Sequence, residues 1–251
     1  MIIKDTITIP ALSGKVPRRI YIYLPPEYDN SLESYPVMYM FDGHNVFFDE
    51  DATYGKSWGM EEYLERENPS IIIVAVECNH KGNRRLCEYS PWNFRDKRFG
   101  SVNGVGTIYM DWLVKELKPE IDSSFRTKPE QEHTSICGSS MGGLMTIYAL
   151  TAYNEVFSKG AALSPSLWCC SQKMQTLIRT TDFAPDTILY MDYGSKEIEA
   201  SPRMLPILEK TASIFFQKGV CASLRIVPGG EHCEASWEQQ IPIFMRCLGI
   251  L

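Results

Sequence analysis

The chain lacks most of what would mark a nucleic-acid-binding, membrane or zinc-ribbon protein. Its 25 Lys and Arg are outnumbered by 31 Asp and Glu, for a net charge of −6. The two signs are interspersed and no basic block forms, so neither nucleic acid nor a membrane surface is an expected partner. No apolar run approaches the ~20 residues that cross a bilayer. The opening Met1-Ile2-Ile3-Lys4-Asp5-Thr6 has no charged n-region leading into an apolar h-region, so export by a standard signal is not expected. The eight cysteines, at 78, 87, 137, 169, 170, 221, 233 and 247, include no Cys-x-x-Cys pair, so a zinc site is not expected. They are read as mostly reduced and buried, as in a cytoplasmic protein. Repeats, low-complexity tracts and long linkers are also missing. Histidine is scarce, with only four residues, at 44, 80, 133 and 232.

What is present is an alternation of strand and helix patterns along all 251 residues, read as a single domain spanning 1–251. Strands are expected at Ile3–Ile9, Arg19–Leu24, Val37–Phe41, Ile71–Val76, Thr134–Cys137, Gly160–Leu163, Thr187–Met191 and Ala222–Val227. Helical spacing falls between them at Trp58–Arg66, Ile108–Ile121, the stretch Leu205, Leu208, Ala212 and Phe215, and Ile241–Leu248. Such alternation predicts an α/β fold with a mostly parallel sheet of about eight strands and helices on both faces. Ligand sites of such sheets lie at the carboxyl ends of the strands.

The run Cys137-Gly138-Ser139-Ser140-Met141-Gly142-Gly143 sits at one such end. It reads Gly-x-Ser-x-Gly between a strand-like and a helix-like segment, the pattern of a nucleophile elbow. A sharp strand-to-helix turn needs small neighbours around the serine, and Gly138 and Gly142 supply them. A hydroxyl is a weak nucleophile and needs a base, which in turn needs an orienting acid. Of the four histidines, His133 precedes the elbow strand and falls at the wrong edge, while His80 and His44 come before Ser140. His232 follows the last strand, in the order serine, acid, histidine of α/β hydrolases. The acid should follow the strand Thr187–Met191, where Asp192 and Glu197 compete. Glu197 is preferred because it lies beyond the Gly194 turn, where a loop can swing toward the imidazole; Asp192 remains the alternative and Glu199 a distant third. An oxyanion hole would take the N–H of Met141 and one from the loop Asp42-Gly43-His44-Asn45, at His44.

With these residues in place the chain resembles the putative-esterase (esterase D-like) family of α/β hydrolases, the family of carbohydrate esterase family 1, feruloyl esterases, enterochelin-esterase-like proteins and mycolyltransferases. The matching segments are Tyr39–Asn45, Glu88-Tyr89-Ser90-Pro91-Trp92, Glu116–Asp122, Gly138–Gly143, Gly194-Ser195-Lys196-Glu197 and Gly230-Glu231-His232. The resemblance implies Ser140, Glu197 and His232 as a triad with His44 and Met141 as oxyanion donors. His44 is a departure, since relatives often carry Gln or Leu there. The implied activity is a serine carboxylesterase acting on short-chain or carbohydrate-linked esters of acetyl or feruloyl type, with no cofactor and no metal. A thioesterase of the S-formylglutathione hydrolase kind, a siderophore esterase or an acyltransferase on the same triad is the alternative.

The expected partner is therefore a small-molecule or oligosaccharide ester, with homo-oligomerisation left open. Phe47, Phe48, Trp58, Tyr89, Trp92 and Trp168 cluster in loops at the active edge, where they either line a pocket or pack the loops together. Trp92 and Trp168 are assigned to substrate binding, with Asn45. Arg84 and Arg85 in the insert Cys78–Asn103 are read as a solvated pair able to attract an anion. No insert of lid length is present, so short or soluble acyl groups are expected.

Overall fold

Ile72–Val76 is apolar at every position and buried throughout, as a strand covered on both faces must be. The computed structural model describes residues 1–251. Its strands are β1 (Ile2–Thr8), β2 (Pro17–Tyr23), β3 (Val37–Phe41), β4 (Ile72–Val76), β5 (Phe94–Asp96), β6 (Gly100–Val102), β7 (Thr134–Ser139), β8 (Lys159–Leu163), β9 (Ile188–Gly194) and β10 (Cys221–Val227). Eight form one sheet in the order β1-β2-β4-β3-β7-β8-β9-β10. The pairs β1–β2 and β2–β4 are antiparallel, and every other neighbour is parallel. This is the α/β-hydrolase architecture, and each expected strand falls within it.

Alternate residues of each central strand serve opposite faces. Tyr39, Phe41, Val74 and Val76 join one core with the helix Met141–Ala152. Met38, Met40, Ile73 and Ala75 join the other with the helices Met60–Glu67 and Ile241–Cys247. No helix is long and apolar enough to cross a membrane.

Several details differ from expectation, among them helices at Ser171–Thr180 and Ser195–Ala200 where none is expected. The insert after β4 contains a β5–β6 hairpin, whose three-residue strands are too short to show a periodic pattern. The expected helix Ile108–Ile121 runs from Gly106 to Ser124 but passes through a π-helical turn at Leu113–Leu117. Pro119 follows directly; its ring would crowd the carbonyl four residues back in a regular helix, and the wider turn relieves that. Only Cys78, Cys137 and Cys170 are buried, while Cys221 and Cys247 are exposed, so the expectation of mostly buried thiols fails.

Because the central strands run parallel, the segments after β3, β7, β8, β9 and β10 all emerge at one edge. That edge collects residues 42–45, 140, 164–168, 195–197 and 228–232.

Candidate active site

Ser140 is the single residue between β7 and the helix Met141–Ala152, and its backbone is held at φ +58°, ψ −119°, a region costly for a side chain-bearing residue. The turn is tight because its glycines touch. A Cβ on Gly138 would lie 2.8 Å from the carbonyl carbon of Gly142, and one on Gly143 would lie 2.8 Å from the oxygen of Leu163. The Ser140 N–H donates to Leu163 O at 2.9 Å, and Ser140 O accepts from the Ser166 N–H at 2.9 Å. The hydroxyl thus stands above the sheet beside the start of a helix whose first N–H groups have no intrahelical acceptor.

His232 reaches this hydroxyl from the loop after β10. Its Nε2 lies 2.9 Å from Ser140 Oγ and its Nδ1 lies 2.6 Å from Glu197 Oε2. A carboxylate only accepts, so the neutral imidazole carries its proton on Nδ1 and leaves Nε2 free to accept the serine proton. Glu197 is the third residue of the short helix Ser195–Ala200. Its other oxygen accepts from the Gly194 N–H at 3.0 Å and the Ser164 hydroxyl at 2.6 Å. Burial works against its charge, but His232, Ser164 and the Gly194 N–H outweigh burial and hold the carboxyl below the usual range. A Cβ on Gly194 would sit 2.2 Å from Gly230 O. Only glycine lets the end of β9 approach the His232 loop this closely.

Asp192 makes no hydrogen bond to His232. It is buried within β9, accepting from the Tyr190 hydroxyl at 2.9 Å and the Ser164 N–H at 3.3 Å. Burial pushes its carboxyl up to about 7. His133 precedes β7 at the far end of the sheet.

The loop after β3 is organised differently. Asp42 adopts a left-handed φ of +57° and both its carboxylate oxygens accept from Arg85, each at 2.7 Å. Burial opposes ionisation of Asp42, but the guanidinium overrides burial and keeps it ionised. Tyr89 Oη accepts from the Asp42 N–H at 3.1 Å. Behind these, Glu88 forms a buried pair with Arg18 and accepts from the Asn79 N–H at 3.1 Å. His44 follows in a 3-10 turn and is 2% exposed. Burial is the main cause of its depressed basicity, overcoming Asp42, and brings the imidazole to about 4. Arg85 is therefore a structural partner of Asp42, and it lies at the cleft beside Ser140 and His232.

Two arms of a cleft meet at Ser140 and His232. One, of about 580 Å³, is polar and lined by His44, Asn45, Thr53, Asn79, His80 and Glu234 among others. The second, of about 610 Å³, has Phe99, Trp168, Tyr193, Met204, Arg98 and Arg203. Trp168 is where the sequence puts it, stacked on Phe99 with Arg98 over its ring at 4.9 Å. Asn45 lines the polar arm, but its amide braces loops: Oδ1 accepts from the Thr53 N–H at 2.9 Å and Nδ2 donates to Glu234 at 3.3 Å.

Trp92 is a correction. It lines neither arm, because its ring packs edge-on against Tyr148 of the elbow helix, centroids 5.6 Å apart. Phe47, Trp58 and Tyr89 are core residues. Sequence reasoning missed Ser164 and Trp237. The Trp237 indole N–H donates to Ser164 Oγ at 3.0 Å, and its ring meets the His232 ring edge-to-face at 5.1 Å. Their only signal is position, one just after β8 and the other five residues beyond His232.

The pattern of the family described as putative esterase matches residues 13–243. The chain belongs to the putative-esterase family. Membership makes it a carboxylic ester hydrolase. The uncharacterized protein YbbA of Bacillus subtilis is 26% identical to this esterase over 183 residues, 72% of this chain and 69% of its own length. An IroE-like serine hydrolase from Shewanella oneidensis has a TM-score of 0.74 at 22% identity, covering 98% of this chain and 78% of that one. Siderophore hydrolase EstA from Aspergillus nidulans has a TM-score of 0.73 at 16% identity, covering 98% and 95%. At these identities the last two likenesses are ones of fold.

Proposed function

We propose that this esterase hydrolyses short-chain or carbohydrate-linked esters, of acetyl or hydroxycinnamoyl type, through an acyl-enzyme on Ser140. The observation that supports this reading is the hydrogen-bonded line from Ser140 Oγ through His232 to Glu197 Oε2. In the first half-reaction Ser140 Oγ attacks the ester carbonyl while His232 Nε2 takes its proton. Glu197 stabilises the imidazolium through Nδ1, and the N–H groups of Met141 and His44 receive the oxyanion. His232 then gives its proton to the departing alcohol. Water repeats the sequence on the acyl-enzyme and releases the acid.

The arm containing Trp168 and Phe99 suits a flat aryl acyl group, and the polar arm suits a hydroxyl-rich alcohol. Arg98 and Arg203 in the aromatic arm favour a second reading, an ester of an anionic aromatic acid such as a siderophore. The fold shared with a siderophore hydrolase is compatible with it.

Fluorophosphonate labelling tests the nucleophile. Wild type should label stoichiometrically on Ser140, and Ser140→Ala should lose both label and at least about 10⁴-fold in kcat. Full activity in Ser140→Ala would end the proposal. Rates on p-nitrophenyl acetate, butyrate and palmitate should fall with chain length. Matched feruloyl-sugar and catecholate esters separate the two substrate readings.

A further inference from the structure

We propose that His44, Cys78 and His80 form a binding site for a single Zn²⁺ ion beside the nucleophilic serine. One potential ligand atom from each lies within 4.8 Å of the other two. A thiolate with two imidazoles is the donor set that borderline-soft divalent ions take. Both rings are already braced at one nitrogen. His44 Nε2 is 2.9 Å from Thr53 Oγ1, and His80 Nε2 is 2.9 Å from Glu77 Oε1. Such partners orient a histidine toward a metal through its other nitrogen, which here is Nδ1 in both residues.

His44 Nδ1 provides an independent sign. It is buried with no hydrogen-bond partner, in a residue only 2% exposed. An unpaired polar atom costs free energy that a ligand bond recovers. The two rings meet edge-to-face with centroids 4.4 Å apart, and Cys78 Sγ completes the triangle.

Ligands of a tetrahedral zinc ion at about 2.0–2.3 Å lie roughly 3.5 Å from one another, so the cluster needs to contract by at most about 1.3 Å. His80 can supply that movement, because its side chain is 49% exposed. Binding breaks the Cys78 S–H bond, forms an S–Zn bond and releases the proton to solvent. All three residues line the polar arm with Ser140. Three protein ligands would leave a fourth position for water or a substrate oxygen.

The test reads metal binding and does not depend on hydrolysis. Reduced wild-type protein is titrated with Zn²⁺ by calorimetry and with Co²⁺ by absorption spectroscopy. One ion per chain and a thiolate-to-cobalt charge-transfer band are expected. Cys78→Ser should abolish the band, and Cys78→Ser and His80→Ala should each weaken Zn²⁺ binding by at least about 100-fold. Glu77→Gln, which loosens the His80 ring and also the Glu77–Arg19 pair, should weaken it about 10-fold. Absence of the band in wild type, or stoichiometric Zn²⁺ binding that persists in the Cys78→Ser/His80→Ala double variant, would overturn the proposal. The latter result would place the ion on other groups of the chain.

Discussion

The two sides of the candidate site are held by different physics. On the side built from β7, β9 and β10, Ser140, Glu197 and His232 are positioned by backbone pressed against backbone, at Gly138 against Gly142 and at Gly194 against Gly230. On the β3 side, a steric contact is also present, since a Cβ on Gly43 would lie 2.5 Å from the carbonyl of Ala75. There, however, the conformation rests on charge. Asp42 is clamped by Arg85, and the segment bearing Arg85 is anchored by Glu88 on Arg18. Steric fit between small residues leaves a local trace in the sequence. A buried ion pair between residues 43 or 70 positions apart does not.

Four perturbations can break or sharpen this contrast. The largest effect is expected within the backbone-held side. Glu197→Gln should lower kcat by about 10²–10⁴-fold, as loss of an orienting carboxylate does, while Asp192→Asn should change kcat by less than about 10-fold. Steady-state kinetics on one soluble ester compares them, and a reversed order would shift the acid to Asp192.

Asp192 itself makes a pH prediction. Its folded-state pKa, about 7, lies above the unfolded carboxylate value of about 3.9. The unfolded chain therefore loses its proton first, and stability contributed by the protonated form is lost as pH rises from about 4 to 7. The loss is about 4 kcal/mol at most. Urea unfolding across that range should show wild type declining relative to Asp192→Asn.

On the charge-held side, Arg85→Leu leaves the Asp42 carboxylate buried without its partner. Arg85 keeps 30% of its side chain exposed, so the cost should fall at the low end for a buried pair, about 3 kcal/mol in denaturant unfolding. kcat should fall as well, because the His44 turn relaxes. An unchanged kcat with lowered stability would show that the turn stands without its clamp. The smallest effect is expected for Gly138→Ala, at about 2 kcal/mol of overpacking read as a lowered Tm. If this variant matched wild type in Tm and kcat, steric fit would not be what sets the elbow.

The elbow, the eight strands and His232 could be read because each is written in contiguous residues: Gly138 to Gly143, the apolar run of β4, and a histidine in the loop after the last strand. The preference for Glu197 over Asp192 rests on an expected glycine turn and loop between them; Gly194 is instead extended at the end of β9, and Glu197 sits on the helix that follows. The β5–β6 hairpin and the π-helical turn before Pro119 were not legible, the first because its strands are three residues long, the second because the apolar spacing is continuous across it. Trp92 was misplaced because a tryptophan beside a cleft and one packed on a helix have the same sequence signature.

Sequence alone determined the strand order along the chain, the sharp turn at residue 140 and the kinds of side chain available at each strand end. Those follow from steric and hydrophobic patterns acting over a few residues. Tertiary structure decided which carboxylate meets His232, that Arg85 clamps Asp42, and that His44, Cys78 and His80 converge. These depend on distances between residues far apart in the chain, set only when the parallel strands bring their carboxyl ends to a common edge.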